Sequence, residues 1–272
     1  MTTDTTHHLT DRHLIVLDSG RIGRNESIRA VLGEQPAALG TVTVLDTLST
    51  AADPVLSRRA ATHLGTLSPF VAEPLTVVAH CMDTALGCEL AAALTAAGHG
   101  QLRMVLFAPA QADREILRGH AGELLGSLGL PSAEADAFLA GLWDGTVPTP
   151  EALRSTGSRL HALALAQAVE FELEAEEAEV FATELCERYQ LWLGHLAGQV
   201  DHAVGAPGCP VDVIGDDPAA ALAAATRIAA FGPARAHHAA DPFDFAGPEL
   251  RDLFHRILTL PAPGADATVR KA

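Results

Sequence analysis

Residues 75 to 85, Leu75-Thr76-Val77-Val78-Ala79-His80-Cys81-Met82-Asp83-Thr84-Ala85, carry an apolar run into a cysteine and straight on into the Ala- and Leu-rich Leu86-Gly87-Cys88-Glu89-Leu90-Ala91. A strand that ends at a nucleophile-type residue and passes at once into a helix is the frame of a nucleophile elbow. There a strained turn exposes the nucleophile, and the next residue's backbone amide, here that of Met82, helps to bind an oxyanion. The usual Gly-x-Ser-x-Gly has become Ala79-x-Cys81-x-Asp83. Strand, turn and helix crowd together two positions to either side of the nucleophile, so Ala79 fits and Asp83 is a departure. A free thiol has a pKa of about 8.5, so a few per cent is already thiolate at neutral pH and Cys81 depends less on a base than a serine would. The Asp83 carboxylate, if close, opposes thiolate formation by like-charge repulsion. An acyl-cysteine is itself a thioester, equal in energy to a thioester that formed it, so an acyl group held there stays activated for onward transfer. His80 adjoins Cys81, but neighbouring side chains at an elbow point apart, and His80 reads as a packing residue. Cys88, Cys186 and Cys209 fall in or beside expected helices or strands and read as inert thiols. With no CxxC pairing, neither a disulfide framework nor a metal cluster is expected.

The elements that must position this turn follow from the hydrophobic pattern. Short apolar runs bounded by Gly, Pro and Asp predict strands at Leu14 to Leu17, Thr41 to Leu45, Leu75 to Ala79, Met104 to Phe107, Val211 to Ile214 and Arg235 to Ala239. Amphipathic stretches between them predict helices: one after Asp53-Pro54, with Asp as cap and Pro in the first turn, then Thr84 to Ala97 ended by Gly98, Ala219 to Ala230 and Pro248 to Leu258. Alternation of this kind is the pattern of a doubly wound α/β sheet. It fails between Ala112 and Gly205, where the chain is Ala, Leu and Glu in helical spacing. Phe181, Leu185, Tyr189, Trp192 and Leu196 form a stripe on one helix face, which serves either the insertion's own core or a cap over the carboxyl edge of the sheet, where ligands of such sheets bind. Phe171, Phe181, Tyr189 and Trp192 are the aromatics expected to line a pocket there. Glu170, Glu172, Glu174, Glu176, Glu177 and Glu179 read as a solvated face.

Composition bounds the partners. The 272 residues are 48% hydrophobic, enough to bury a sizeable core. Lys and Arg total 18 against 34 Asp and Glu, a formal charge of −16 that has the wrong sign for nucleic acid or an anionic membrane. No apolar run approaches the roughly 20 residues of a membrane helix, and Met1 to Arg12 is polar with no signal-peptide core, so a cytoplasmic location is expected.

From Leu14 to Leu258 the chain resembles the thioesterase-like α/β-hydrolases that serve polyketide and nonribosomal peptide assembly lines. The resemblance rests on the first strand and its polar loop Asp18-Ser19-Gly20-Arg21, the elbow and its helix, the strand Met104-Val105-Leu106-Phe107, the helical insertion, and Val211-Asp212-Val213-Ile214-Gly215-Asp216-Asp217-Pro218. It implies an α/β-hydrolase-like fold, a mostly parallel sheet with helices on both faces. The core would span 13–111 and 206–260, a helical lid 112–205, and flexible tails 1–12 and 261–272. By the same resemblance Cys81 is the nucleophile, Asp217 or its neighbour Asp216 the triad carboxylate, and the backbone amides of Met82 and Ser19 the oxyanion donors. An alternative acid position after Phe107 holds Ala108. Where the family places its histidine this chain reads Asp241-Pro242-Phe243, so His238, or His237 beside it, is the imidazole left to complete the set. No cofactor or metal is implied. The partner would be an acyl or peptidyl carrier protein bearing a phosphopantetheine-linked substrate. Family members with cysteine at the elbow include Dieckmann cyclases and acyl or aminoacyl shuttles. Cys81 and Asp217 favour such chemistry; Asp83, Ala108 and Pro242 favour a protein that only binds a polyketide-like molecule, or one that catalyses a non-covalent elimination or isomerisation.

Overall fold

The computed structural model describes residues 12–20, 27–33, 39–67, 74–143 and 148–264. The apolar runs form the strands β1 (His13–Asp18), β2 (Thr41–Asp46), β3 (Leu75–His80), β4 (Leu102–Phe107), β5 (Val211–Gly215) and β6 (Ala234–His238). They join in one parallel sheet in the order β2-β1-β3-β4-β5-β6. The four inner strands are buried at every position, which is why they read as continuous apolar runs without alternation. Their side chains nonetheless divide by parity. Ile15, Leu17, Val77, Ala79, Met104 and Leu106 enter one core with α1 (Leu56–Thr66), α2 (Thr84–Ala96) and α7 (Pro218–Ile228). Leu14, Val16, Val78, Val105 and Phe107 enter a second core with the short 3-10 helix Ile28–Leu32 and α8 (Pro248–Thr259). Helices thus cover both faces, and the fold is α/β-hydrolase-like.

Local chemistry sets the element ends. Gly98, at φ 99, closes α2 while the His99 amide donates back to the Leu94 carbonyl, the bond that a left-handed glycine after a helix makes possible. Helix α1 departs from expectation. Its N-cap is Val55 with no side-chain cap, and Asp53 lies in the preceding turn, its amide donating to the Thr50 carbonyl. On β5 the fully buried Asp212 accepts from Arg103 at 2.9 Å, Arg235 Nε at 2.7 Å and His237 Nε2 at 2.8 Å. Arg103 also donates to the Ile257 and Leu260 carbonyls, and so ties the end of α8 to the sheet. Burial pushes the Asp212 carboxyl up, but its bonds to His237 and Arg235 and the charge of Arg103 hold it below its ordinary value.

The chain divides into two compact units: the sheet unit, from 1–47, 55–111 and 203–272, and a helical unit from Leu48–Pro54 and Ala112–His202. The helical unit holds α3 (Arg114–Ser127), α4 (Ser132–Leu142), α5 (Pro150–Glu170) and α6 (Ala175–Ala197), with no strand among its described residues. Asp113 caps α3 through the Ile116 amide, and Thr149 caps α5 through the Ala152 amide with Pro150 following. The buried face of α6 is Ala178, Ala182, Cys186, Tyr189, Trp192, Leu193 and Leu196, so Phe181 and Leu185 stand beside it, half-buried. Trp192 stacks on His195 and meets His120 edge-on. Phe171, expected in a pocket wall, is 63% exposed in the α5–α6 turn. The run of glutamates is exposed throughout. No described helix is long and apolar enough to cross a membrane. Of the expected tails, residues 1–11 and 265–272 lie outside the described residues, as does Arg21.

Candidate active site

Strand β3 ends at His80, and Cys81 follows in the left-handed region at φ 41, opening a single 3-10 turn, Cys81–Asp83, that runs directly into α2. A non-glycine residue there costs on the order of 1–3 kcal/mol and persists only where its surroundings impose it. They do so here by close packing. A Cβ on Gly87 would lie 3.0 Å from the Ala79 Cβ, so strand and helix cross at two small residues, while the Ala110 amide donates to the Cys81 carbonyl at 3.2 Å. The Met82 backbone amide bonds the Cys81 sulfur. Burial dominates the titration nonetheless and, with the Asp83 charge added, pushes the Cys81 thiol up to about 11. Cys81 is therefore a neutral thiol at pH 7. The positive end of α2, worth about 0.3–1 kcal/mol to a thiolate, does not offset that.

Asp83, in place of the elbow's second glycine, is 1% exposed. Its Oδ1 accepts from Thr47 Oγ1 at 2.8 Å, and its Oδ2 lies 3.4 Å from His80 Nδ1. Thr47, just past β2, in turn receives Arg59 Nη2 on its carbonyl at 2.9 Å, and Arg59 is wholly buried. His63, one turn further along α1, is held below its ordinary value by burial and by the Arg59 charge, against the pull of Asp46 and Asp83. Sequence reasoning missed Thr47, Arg59 and His63. The signal was present: Leu56, Arg59, Ala60 and His63 share the inward stripe of α1, and an arginine and a histidine on such a stripe need buried polar partners.

The remaining expected site residues lie at the carboxyl ends of other strands: Ser19 and Ala108 after the adjoining β1 and β4, Asp217 and His238 at β5 and the edge strand β6. Ser19 is buried just beyond β1, after Asp18, whose carboxylate accepts from the Gly20 amide at 2.9 Å and from Ser27 Oγ at 2.7 Å. Ala108, just past β4, is a second left-handed residue, at φ 42. Asp217 caps α7, its Oδ1 accepting from the amides of Ala219 and Ala220. Exposed His238 donates from Nδ1 to the Asp216 carbonyl at 2.9 Å and borders a polar cavity of about 500 Å3 with Asp241, Glu249 and Arg256. His237 is engaged by Asp212 instead. Among the described residues no hydrogen bond or ion pair joins Cys81, Asp217 and His238. After Pro242 the chain turns Phe245 into the core, where its ring stands edge-on to His80 at 5.3 Å and to Phe107 at 5.6 Å. His80 is thus held between Phe245 and Asp83 as a packing residue. Cys88, Cys186 and Cys209 are buried, and burial raises all three thiols.

No family model and no curated protein sequence matches the chain. Solved structures match across most of its length. RedJ, a thioesterase from the prodiginine biosynthetic pathway in Streptomyces coelicolor, superposes with a TM-score of 0.52 at 13% identity over 94% of this chain and 91% of its own. RedJ with a PEG molecule bound in its active site gives 0.51 at 11% identity over 95% and 92%. At such identities the likeness establishes the shared fold.

Proposed function

We propose that this chain is a thioesterase-like biosynthetic enzyme that takes an acyl group from a carrier-bound phosphopantetheine thioester onto Cys81 and releases it to an acceptor other than water, by transfer or by a Dieckmann-like cyclisation. The observation that carries this is the strained elbow itself: Cys81 stands at φ 41 in the turn from β3 into α2, with the Met82 amide on its sulfur. The Cys81 sulfur adds to the thioester carbonyl, the oxyanion is held by the Met82 and Ser19 amides, and the pantetheine sulfur departs with the proton that Cys81 gives up. One thioester is made as one is broken, so the step is near thermoneutral. A carbon or heteroatom nucleophile then takes the acyl group, and its proton returns to Cys81. Transfer keeps the activation that the acyl group holds as a thioester on Cys81, which hydrolysis would discard. In this reading His238 moves the proton and Asp217 orients it. Alkylation of Cys81 should then shift to higher pH in His238→Ala; an unchanged profile would remove His238 and Asp217 from the mechanism.

A second reading, non-covalent binding or isomerisation of a polyketide-like molecule, is favoured by the thiol's high pKa. Intact-mass analysis after incubation with a small acyl thioester separates the two. The covalent reading requires an adduct in the wild type and none in Cys81→Ala; no adduct at any pH up to about 9 leaves the second.

A further inference from the structure

The helical unit contains a cavity of about 540 Å3 that the chemistry above does not use. Its size lies within the roughly 300–1,000 Å3 typical of small-molecule sites. One wall is built by close backbone contacts at two glycines. On α6, a Cβ on Gly194 would come within 3.0 Å of the Ala51 carbonyl oxygen, and one on Gly198 within 3.0 Å of that of Pro54. The 48–54 segment therefore lies directly on the helix, and Ala51 and Pro54 from it, Leu191 and Ala197 from α6 and Leu153 from α5 line the space. Among the described residues no aromatic side chain and no buried charge lines it.

Its polar lining residues, Arg154, Glu187 and Gln190, are all solvent-exposed and so stand at the mouth. Gln190 is laid across α5 at Gly157, where a Cβ would fall 1.9 Å from its Nε2. A rim with one cation, one anion and one carboxamide has no net charge. A ligand carboxylate gains Arg154 but faces Glu187; an ammonium gains Glu187 but faces Arg154. A group that both donates and accepts satisfies all three. We infer that this cavity binds an uncharged, largely apolar small molecule whose polar end is an amide or a similar donor–acceptor group, with the apolar body against Leu153, Leu191 and Ala197.

The test uses Cys81→Ala protein, so that its outcome is independent of acyl transfer. N-Phenyl-1-naphthylamine is the fluorescent probe, and decanamide, decanoate and decylammonium compete for it. The expected result is displacement by decanamide at a concentration at least tenfold below that of either ion. Filling the cavity by Leu153→Trp or Ala197→Phe should weaken probe binding at least tenfold with an unchanged thermal transition. Should both filled variants unfold, the exposed Glu187→Gln decides, since decanoate should then compete as decanamide does. Equal competition by the three ligands in the parent protein, folded filled variants that bind as the parent does, or an unaltered ranking in Glu187→Gln would overturn the assignment.

Discussion

Cys81 is held in opposition: its backbone is strained and the Met82 amide bonds its sulfur, while burial and the Asp83 carboxylate keep it protonated. Alkylation followed against pH should climb steadily through pH 9 toward a midpoint of about 11. Replacing Asp83 by Asn removes the like charge and keeps an acceptor for Thr47 Oγ1, so the midpoint should fall, with about tenfold more thiolate at pH 8 for each unit gained. An unchanged midpoint would mean that the carboxylate has no hold on the sulfur. Cys81, Met82 and the oddity of Asp83 were legible in sequence because an elbow is a local motif. The partner of Asp83 was not, since Thr47 reaches it from 36 residues away and is itself held through its carbonyl by Arg59 of α1.

At the scale of elements, the site depends on α2 crossing β3 closely. Gly87→Val should destabilise the fold by about 1–3 kcal/mol through overpacking against Ala79. Ala79→Gly combined with Gly87→Ala should recover much of the loss, as read by denaturant midpoints; a Gly87→Val protein of wild-type stability would show that the crossing is not tight. The strands were readable because inner parallel strands are buried on both faces and interrupted by turn residues. Helix α1 does begin after Asp53-Pro54, but with Val55 and not Asp53 at its cap, since the first helical residue is Leu56. The stripe expected on α6 holds at Tyr189, Trp192 and Leu196 but not at Phe181 and Leu185, because the first turns of the inward face are built from Ala178, Ala182 and Cys186, which a pattern of large residues overlooks.

For the whole molecule, His13, His63 and His255 are all held below their ordinary value of 6.5, principally by burial. A group with a depressed folded pKa lends stability above its unfolded pKa and loses it as pH falls through the folded one. The thermal midpoint should therefore decline as pH is lowered from about 7 toward 5, and His63→Gln should flatten the slope. Asp212, also depressed, adds a further loss below its unfolded value of 3.8. A midpoint that is level across pH 5–7 would contradict the placement of these histidines. The central claim concerns the complete reaction, and the measurement that tests it most directly is made with an acyl group loaded on a phosphopantetheinylated carrier protein. Peptide mapping should find the acyl mass on the peptide containing Cys81, removable by hydroxylamine, and added thiol should discharge it at least tenfold faster than water. An unmodified Cys81 after complete carrier turnover, or an acyl-Cys81 lost to water as fast as to thiol, would contradict it.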